Sequence, residues 1–428
     1  MKPEINDFDV FPRIVPVGKE TTITIRPLYD QARLDPAKYR VVMHPSGGLA
    51  REIGSPSSTL LDPEWIDGGL RFCYRFEREQ EYVVSVEDIS DAKRPRSYEF
   101  RLYALEDDLC ARRPYKGDIH IHSFRSDGRE SPAYVAAACR RIGMDFMAVT
   151  DHRLYTPSLE AIRAFEGLPV DLRIYPGEEV HPPDNPVHII NFGGSFSVNE
   201  IFQKDEARYR AEVQVIADGL ENFPPGGDRY SYASCDWSYR QIRAGGGLSL
   251  FCHPYWFTRH RYDVPDELVD QLFARQPWDA LELIGGYHLY EVESNLIQVA
   301  RYHDERAKGK QVPVVGVSDA HGCERDLFGW YYTIDFSPSL DLPDLVRSIK
   351  DLYSVAIEAL PGQEPRAHGP FRLVRYAQFL LREIFPLHDA LCHEEGRLML
   401  AHITGEPQAA QQLSVLQGRT AALYDRLF

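Results

Sequence analysis

Residues 116–128 read KGDIHIHSFRSDG. His120 and His122 flank a single isoleucine. If this run is a strand, both imidazoles project from one face while Ile119 and Ile121 project from the other. Two imidazoles on one face suit a metal or a substrate phosphate, and they equally suit a half-buried strand whose histidines have ordinary partners. Asp127, in the same stretch, adds a carboxylate just beyond them. The rest of the chain has to decide between these readings.

Working outward, the rhythm of this segment repeats. DIHIH is followed by the helical stretch PAYVAAACRRIG, DFMAVTDH by SLEAIRAFEG, GLSLFCHP by DELVDQLFARQ, and ALELIGG by EVESNLIQVARYHDERAKG. LRIYPGEEV, VHIINFGG and PVVGVSDAHG bring the candidate strands to seven, the pattern of a parallel barrel. VHIINFGG follows LRIYPGEEV with almost no helix between them, so the βα unit is imperfect there.

Polar residues collect at the strand ends. His120 and His122 end the first strand, Asp151 and His152 the second, and Glu178 and Glu179 the third; His188 opens the fourth, His253 ends the fifth, and Asp319 with His321 ends the seventh. In a parallel barrel the carboxyl ends of the strands share one mouth, so donors spread over about 200 positions converge there. Histidines that merely pack would show no such preference. His120, His122, Asp127, His152, Glu179, His188, His253, Asp319 and His321 amount to six imidazoles and three carboxylates. One ion takes roughly four to six donors, so this set implies two or three ions, and a set without thiolates suits Mn²⁺, Fe²⁺ or Zn²⁺.

HIHSFRSDG, AVTDH, PGEEV, VHIINFGG, CHP and SDAHG, in that order within residues 115–360, resemble the successive motifs of the PHP superfamily, the polymerase and histidinol phosphatase metallohydrolases. The resemblance implies an α/β fold built on a distorted (β/α)7 barrel, in agreement with the strand count. It further implies that His120, His122, Glu179 and Asp319 hold one ion, that Glu179 bridges to a second held also by His188 and His253, and that Asp127, His152 and His321 hold a third. Glu179 is preferred to Glu178 because the superfamily's pattern is Gly-x-Glu and Gly177 sets the count. Asp127 stands where some members carry histidine. The β-rich segment ahead of the barrel and the closing stretch FGWYYTIDFSPSLDLPDLVRSIKDLYSV are similar to the carbaryl-hydrolase-like branch of the superfamily.

The chain of 428 residues is too long for one ordinary core. Residues 1–112 carry short β-branched and aromatic runs, TTITIRPL, YRVVMHP, LRFCYRF, YVVSVED and SYEFRLYAL, which predict an immunoglobulin-like β-sandwich. The barrel is expected over 113–362 and a helical extension over 363–428. In that extension Leu413, Leu416, Thr420, Leu423 and Leu427 form one apolar face, fit either for packing on the barrel or for a homodimer contact. A net charge of −16 argues against an extended nucleic-acid surface. Seven cysteines without a CxxC pair point to reduced thiols. The first residues lack the apolar core of a signal peptide and no stretch reaches membrane-span length, which predicts a cytoplasmic protein that binds no membrane.

The expected activity is metal-dependent hydrolysis. Ions sharing Glu179 would hold a bridging hydroxide as nucleophile, and three divalent ions set against three carboxylates and that hydroxide leave about two positive charges facing the substrate. That balance favours a phosphoester of a small metabolite; a carboxylic ester, amide or carbamate is the alternative, and a non-catalytic metal-binding scaffold the remote one. Asp151 and Glu282 are read as orienting a ligand imidazole, or in the case of Asp151 as capping a helix. Arg125, Arg153, Arg259 and His260 lie in loops above the expected metals, as anion clamps or ordinary surface charges. Tyr255 and Trp256 are expected either to wall a leaving-group pocket or to pack. No serine elbow, Walker loop or dinucleotide fingerprint is present.

Overall fold

The computed structural model describes residues 3–48, 58–90, 97–287, 292–324 and 327–428. The chain divides into two compact units. One comprises Met1–Arg113, Arg375–His388 and Gly418–Phe428, the other Pro114–Val374 and Asp389–Gln417.

In the first unit the β-branched and aromatic runs form two sheets. The first has the order Phe8–Phe11, Glu20–Pro27, Gly69–Arg75, Glu64–Ile66; the second, Ile14–Pro16, Ser97–Leu105, Gln80–Asp88, Tyr39–Pro45, Thr59–Leu61. Along Gln80–Asp88 the buried positions are Gln80, Tyr82, Val84 and Val86, the period of two expected when one face of a sheet is covered. Phe8, Ile23, Ile25 and Phe72 of the first sheet share one buried cluster with Met43, Val84, Phe100 and Leu102 of the second. Full burial of each such side chain contributes about 1.5–3 kcal/mol.

The C-terminal segment returns to this unit. Arg13 and Glu383 form a buried ion pair at 3.2 Å, the Arg13 amide donates to the Leu427 carbonyl at 2.8 Å, and Tyr103 packs against Tyr376 and Phe379. The leucine face read near the C-terminus is split between two helices, Ala409–Leu416 and Arg419–Leu427, with Gly418 at φ 78° between them. Leu413, Thr420 and Leu427 are buried.

The second unit also holds two large sheets. The order in one is Arg173–Tyr175, Phe146–Ala148, Arg113–Asp118, Tyr331–Ser337, Ser354–Glu358, Arg366–His368; in the other it is Gly177–Val180, Ile189–Phe192, Leu248–Phe251, Ala280–Ile284, Val314–Gly316. Among the described residues these are separate sheets and not one closed barrel. Single parallel bridges, Ile121 with Ala320 and His152 with Glu179, link the chain beyond their strands.

Two departures from a regular βα rhythm have physical causes. The run LRIYPGEEV forms two strands in different sheets, Arg173–Tyr175 and Gly177–Val180, interrupted at Pro176, which has no N–H to give to a ladder. Ile189–Phe192 runs antiparallel to both its neighbours, Gly177–Val180 and Leu248–Phe251. Antiparallel strands need no crossover helix, which explains the short connection ahead of VHIINFGG. Because the strand is reversed, it begins where its neighbours end: Ile189 pairs with both Val180 and Phe251.

No helix among the described residues is long and apolar enough to cross a membrane. All seven cysteines are free thiols.

Candidate metal centre

Backbone pairing sets the first part of the site. The Asp319 amide donates to the His120 carbonyl at 2.8 Å and the His122 amide to the Ala320 carbonyl at 3.0 Å, around the Ile121–Ala320 bridge. The residues flanking that bridge therefore share a face. His120 Nε2 and His122 Nε2 lie 3.1 and 2.7 Å from Asp319 Oδ1, and the His122 and His321 rings stack at 4.2 Å. Asp319 sits in the left-handed region at φ 51°, a conformation that aspartate tolerates better than most residues.

Glu179 is the hub of the second part. Its Oε1 lies 2.7 Å from His188 Nδ1 and 3.6 Å from His253 Nε2. Its Oε2 touches His152 Nδ1 and lies 3.4, 3.6 and 3.8 Å from the Nε2 atoms of His181, His122 and His120. Yet both Glu179 oxygens, His120 Nε2 and His188 Nδ1 are buried without a hydrogen bond of acceptable geometry. Such orphaned atoms cost about 1–3 kcal/mol each. Donors that crowd without bonding point at shared positions rather than at one another. Two donors each about 2.1 Å from one ion are about 3–3.4 Å apart, which falls within the separations found here.

Among the sets of donor atoms that lie mutually within 4.8 Å are His122, Asp127, His152 and His321; His120, Glu179 and His253; and His120, His122 and Asp319. His188 joins through Glu179. The nine residues singled out in the sequence are thus brought together, and their chemistry fits borderline divalent cations.

Neighbouring groups fix which nitrogens remain free to ligate. Glu282 Oε2 lies 2.9 Å from His120 Nδ1, so that nitrogen carries the proton and Nε2 faces Glu179 and Asp319. The Asp319 carbonyl, which can only accept, lies 2.9 Å from His321 Nδ1, leaving His321 Nε2 3.3 Å from Asp127. Asp151 turns to the loop instead of to a ligand imidazole: it accepts from the amides of Ser123 and Ser126 at 2.9 and 3.2 Å and from their hydroxyls at 2.6 and 2.5 Å. That holds the turn leading into Asp127. Glu178, equally buried, faces the opposite side of its strand and accepts from Asn191, Ser197, Val198 and Asn199.

Burial works against charge throughout, and the neighbours decide the outcome. It would raise Glu179, but His188 and the close His120, His152 and His181 hold this carboxyl well below the usual range. Asp319 is likewise held low against burial by His120 and His122. Burial would lower His253, but Glu179, Glu282 and Asp319 outweigh it and raise the imidazole to about 9. In His181 burial prevails and lowers the imidazole to about 4, and in His122 burial likewise prevails and lowers it. Protonated imidazoles offset the carboxylates in an ion-free site, a role that bound cations take over as ligands deprotonate.

The donors open on a cavity of about 250 Å³, whose remaining lining is Trp256, Gly286 and Leu327. Gly286 is at φ 70°, and a Cβ there would stand 2.4 Å from Glu282 Oε1 and 3.0 Å from His253 Cβ. The Trp256 ring lies 6.3 Å from His188 and 6.2 Å from His253. Tyr255 packs instead: it is buried and its amide donates to the Tyr287 hydroxyl.

The expected clamp residues are elsewhere. Arg125 is committed to Glu160 at 2.9 and 3.2 Å and lies over Phe124. Arg259 and His260, at φ 49° and 67°, form the tight turn between Phe257–Thr258 and Arg261–Tyr262, and neither lines the cavity. His181, by contrast, was not singled out in the sequence, although its spacing of two from Glu179 puts both on one face of an extended segment.

No protein-family description matches the chain, and no curated protein does. Among solved structures, it is similar to a two-domain protein from Bacteroides vulgatus ATCC 8482 containing a predicted PHP-like metal-dependent phosphoesterase, at 15% identity over 62% of this chain and 69% of that one, with a TM-score of 0.41. A protein from Bifidobacterium adolescentis ATCC 15703, described as a metal-dependent phosphoesterase, matches at 22% identity over 54% of this chain and 94% of its own, with a TM-score of 0.34. An amidohydrolase from Chromobacterium violaceum matches at 16% identity over 58% and 99%, with a TM-score of 0.33.

Proposed function

We propose that this protein is a hydrolase of the PHP superfamily that uses two or three divalent ions to cleave a phosphoester of a small molecule. The observation that supports this reading most is Glu179: six imidazoles approach its two buried oxygens within 4.0 Å, and neither oxygen has a hydrogen bond. Divalent ions held by the nine donors would supply a nucleophile from water at neutral pH and positive charge toward an anionic substrate. The chain's own residues prepare the site. Glu179 and Asp319 stay ionised, Glu282 and the Asp319 carbonyl aim the lone pairs of His120 and His321, and Asp151 anchors the loop carrying Asp127. On this reading the two sheets of the second unit are halves of a distorted (β/α)7 barrel, and those of the first unit a β-sandwich.

Trp256 and Leu327 on the cavity wall, and the lack of arginine or lysine in its lining among the described residues, favour a second reading. In it the same centre cleaves a carboxylic ester, amide or carbamate. Matched aryl phosphates, acetates and carbamates offered to protein loaded with Mn²⁺, Fe²⁺ or Zn²⁺ decide between them. Phosphate turnover at least about tenfold faster, a transition-state difference of about 1.4 kcal/mol, supports the first; acetates or carbamates leading with every metal establishes the second.

A further inference from the structure

An imidazole that gives one nitrogen to an ion needs an acceptor for the proton on the other. Glu282 is that acceptor for His120, and the Asp319 carbonyl for His321. His152 shares a donor set with His122, Asp127 and His321. Its Nε2 lies 3.4 Å from Asp127, so Nε2 is the nitrogen aimed at that set and Nδ1 is left to carry the proton. Among the described residues no carboxylate or carbonyl takes it. Glu179 Oε2 touches His152 Nδ1, but out of line for a hydrogen bond. The hydrogen bond that His152 Nδ1 does make runs to Nε2 of His181, at 2.9 Å.

Two neutral imidazoles share one proton in such a contact, so its direction matters. With His152 Nε2 committed to an ion, the proton sits on His152 Nδ1, and His181 presents Nε2 as a lone pair while its own proton stays on Nδ1. Nothing opposes that tautomer: no donor among the described residues faces His181 Nδ1.

His181 is also held in place. Asn199, fully buried in the helix Val198–Lys204, donates from Nδ2 to the Glu179 carbonyl at 3.0 Å and accepts at Oδ1 from the His181 amide at 3.1 Å. It thereby clasps the backbone on both sides of Val180. The His181 side chain is only 14% exposed, and its ring lies against that of His188, with centroids 4.0 Å apart. A fixed acceptor orients its donor better than a mobile one.

We propose that His181 is a positioning residue of the metal centre: it accepts from His152 Nδ1–H and so commits His152 Nε2 to the ion shared with Asp127 and His321. The inference rests on the metal-centre reading and adds to it a residue outside the nine donors. Because His181 Nε2 also lies 3.4 Å from Glu179 Oε2, direct ligation by His181 is the competing arrangement, and the test separates the two.

Chelator-treated protein with ¹⁵N-labelled histidines is titrated with Zn²⁺, following bound ion by elemental analysis and the imidazole nitrogens by NMR. In wild type the His152 signals should show a proton on Nδ1 and an ion at Nε2. His181→Leu should weaken the ion at His152 about 10–100-fold, the usual scale for losing such a partner, and leave the ions at the other donor sets in place. His181→Gln, which offers a carbonyl oxygen as acceptor, should restore most of that loss. Melts of the ion-free proteins control for folding. Equal weakening in His181→Gln and His181→Leu, the mark of direct ligation, overturns the proposal, as does full affinity in His181→Leu. So does a wild-type His152 that holds its ion through Nδ1 or holds none while other ligands do, a result that needs no variant to fold. Wild type that takes up no Zn²⁺ at all overturns the metal-centre reading and this proposal with it.

Discussion

Glu178 and Glu179 are adjacent, chemically identical and fully buried, and replacing each by glutamine should have opposite consequences. Glu179→Gln removes a charge and an oxygen from the donor set that it forms with His120 and His253, and from beside His188. Structural zinc sites of four donors bind with about 10–16 kcal/mol, or about 3 kcal/mol per donor, so losing one weakens each affected ion by about 100-fold. Glu178→Gln instead turns an acceptor into a donor. Oε1 accepts from Asn191 and Val198 at 3.1 and 2.5 Å, and Oε2 from Ser197 and Asn199 at 2.7 and 2.8 Å. An amide nitrogen at either position faces donors it cannot bond, at a cost of about 2 kcal/mol, which lowers the melting temperature by about 4–8 °C. The assay is elemental analysis after dialysis against buffered Zn²⁺ or Mn²⁺, alongside thermal melts. Wild type and Glu178→Gln should retain two or three ions per chain, and Glu179→Gln should lose those it shares. A full complement in Glu179→Gln, or equal loss in both variants, would refute the assignment of the two faces.

Three further outcomes follow from the geometry. Arg125→Ala and Arg259→Ala should change turnover by less than about twofold, because Arg125 is spent on an exposed pair with Glu160 and Arg259 shapes a turn; steady-state rates on aryl phosphates check this. Gly286→Ala should lower the melting temperature and the metal content together, since its Cβ meets Glu282 and His253. Stripping the ions with a chelator should destabilise the second unit, because a cation that binds only the folded state at about 100 times its Kd contributes about 2.7 kcal/mol; restoring Zn²⁺ or Mn²⁺ should recover the melt.

Local patterns made the longer strands of the first unit and seven runs of the second legible, but not short strands such as Phe8–Phe11 and Ile14–Pro16, nor Tyr331–Ser337 and Ser354–Glu358; the remaining misses were non-local. The alternation in QEYVVSVED declares a sheet with one covered face, and Gln80–Asp88 is that strand. Nothing in the spacing of the C-terminal leucines indicates that Glu383 answers a buried Arg13 or that Leu427 accepts from the Arg13 amide. Strand direction was also hidden. Hydrophobic runs carry no sign of polarity, so VHIINFGG reads the same parallel or reversed. The reversal nonetheless explains why a donor opens this strand when donors elsewhere close theirs: an antiparallel strand among parallel ones starts at the shared end.

The arrangement of the centre reduces to a single spacing used three times. His120 and His122 flank Ile121, Asp319 and His321 flank Ala320, and Glu179 and His181 flank Val180. In extended backbone such pairs share a face while the residue between turns away. The first two intervening residues pair with each other across the Ile121–Ala320 bridge, so the flanking side chains are matched across neighbouring segments: Asp319 lies within 3.1 Å of both His120 and His122, and His321 stacks on His122. The third pair sits on the other seam, where the His152–Glu179 bridge brings Nδ1 of His152 to Glu179 and within 2.9 Å of His181. A search for a donor two residues from each strand-end donor would therefore have found His181 in the sequence.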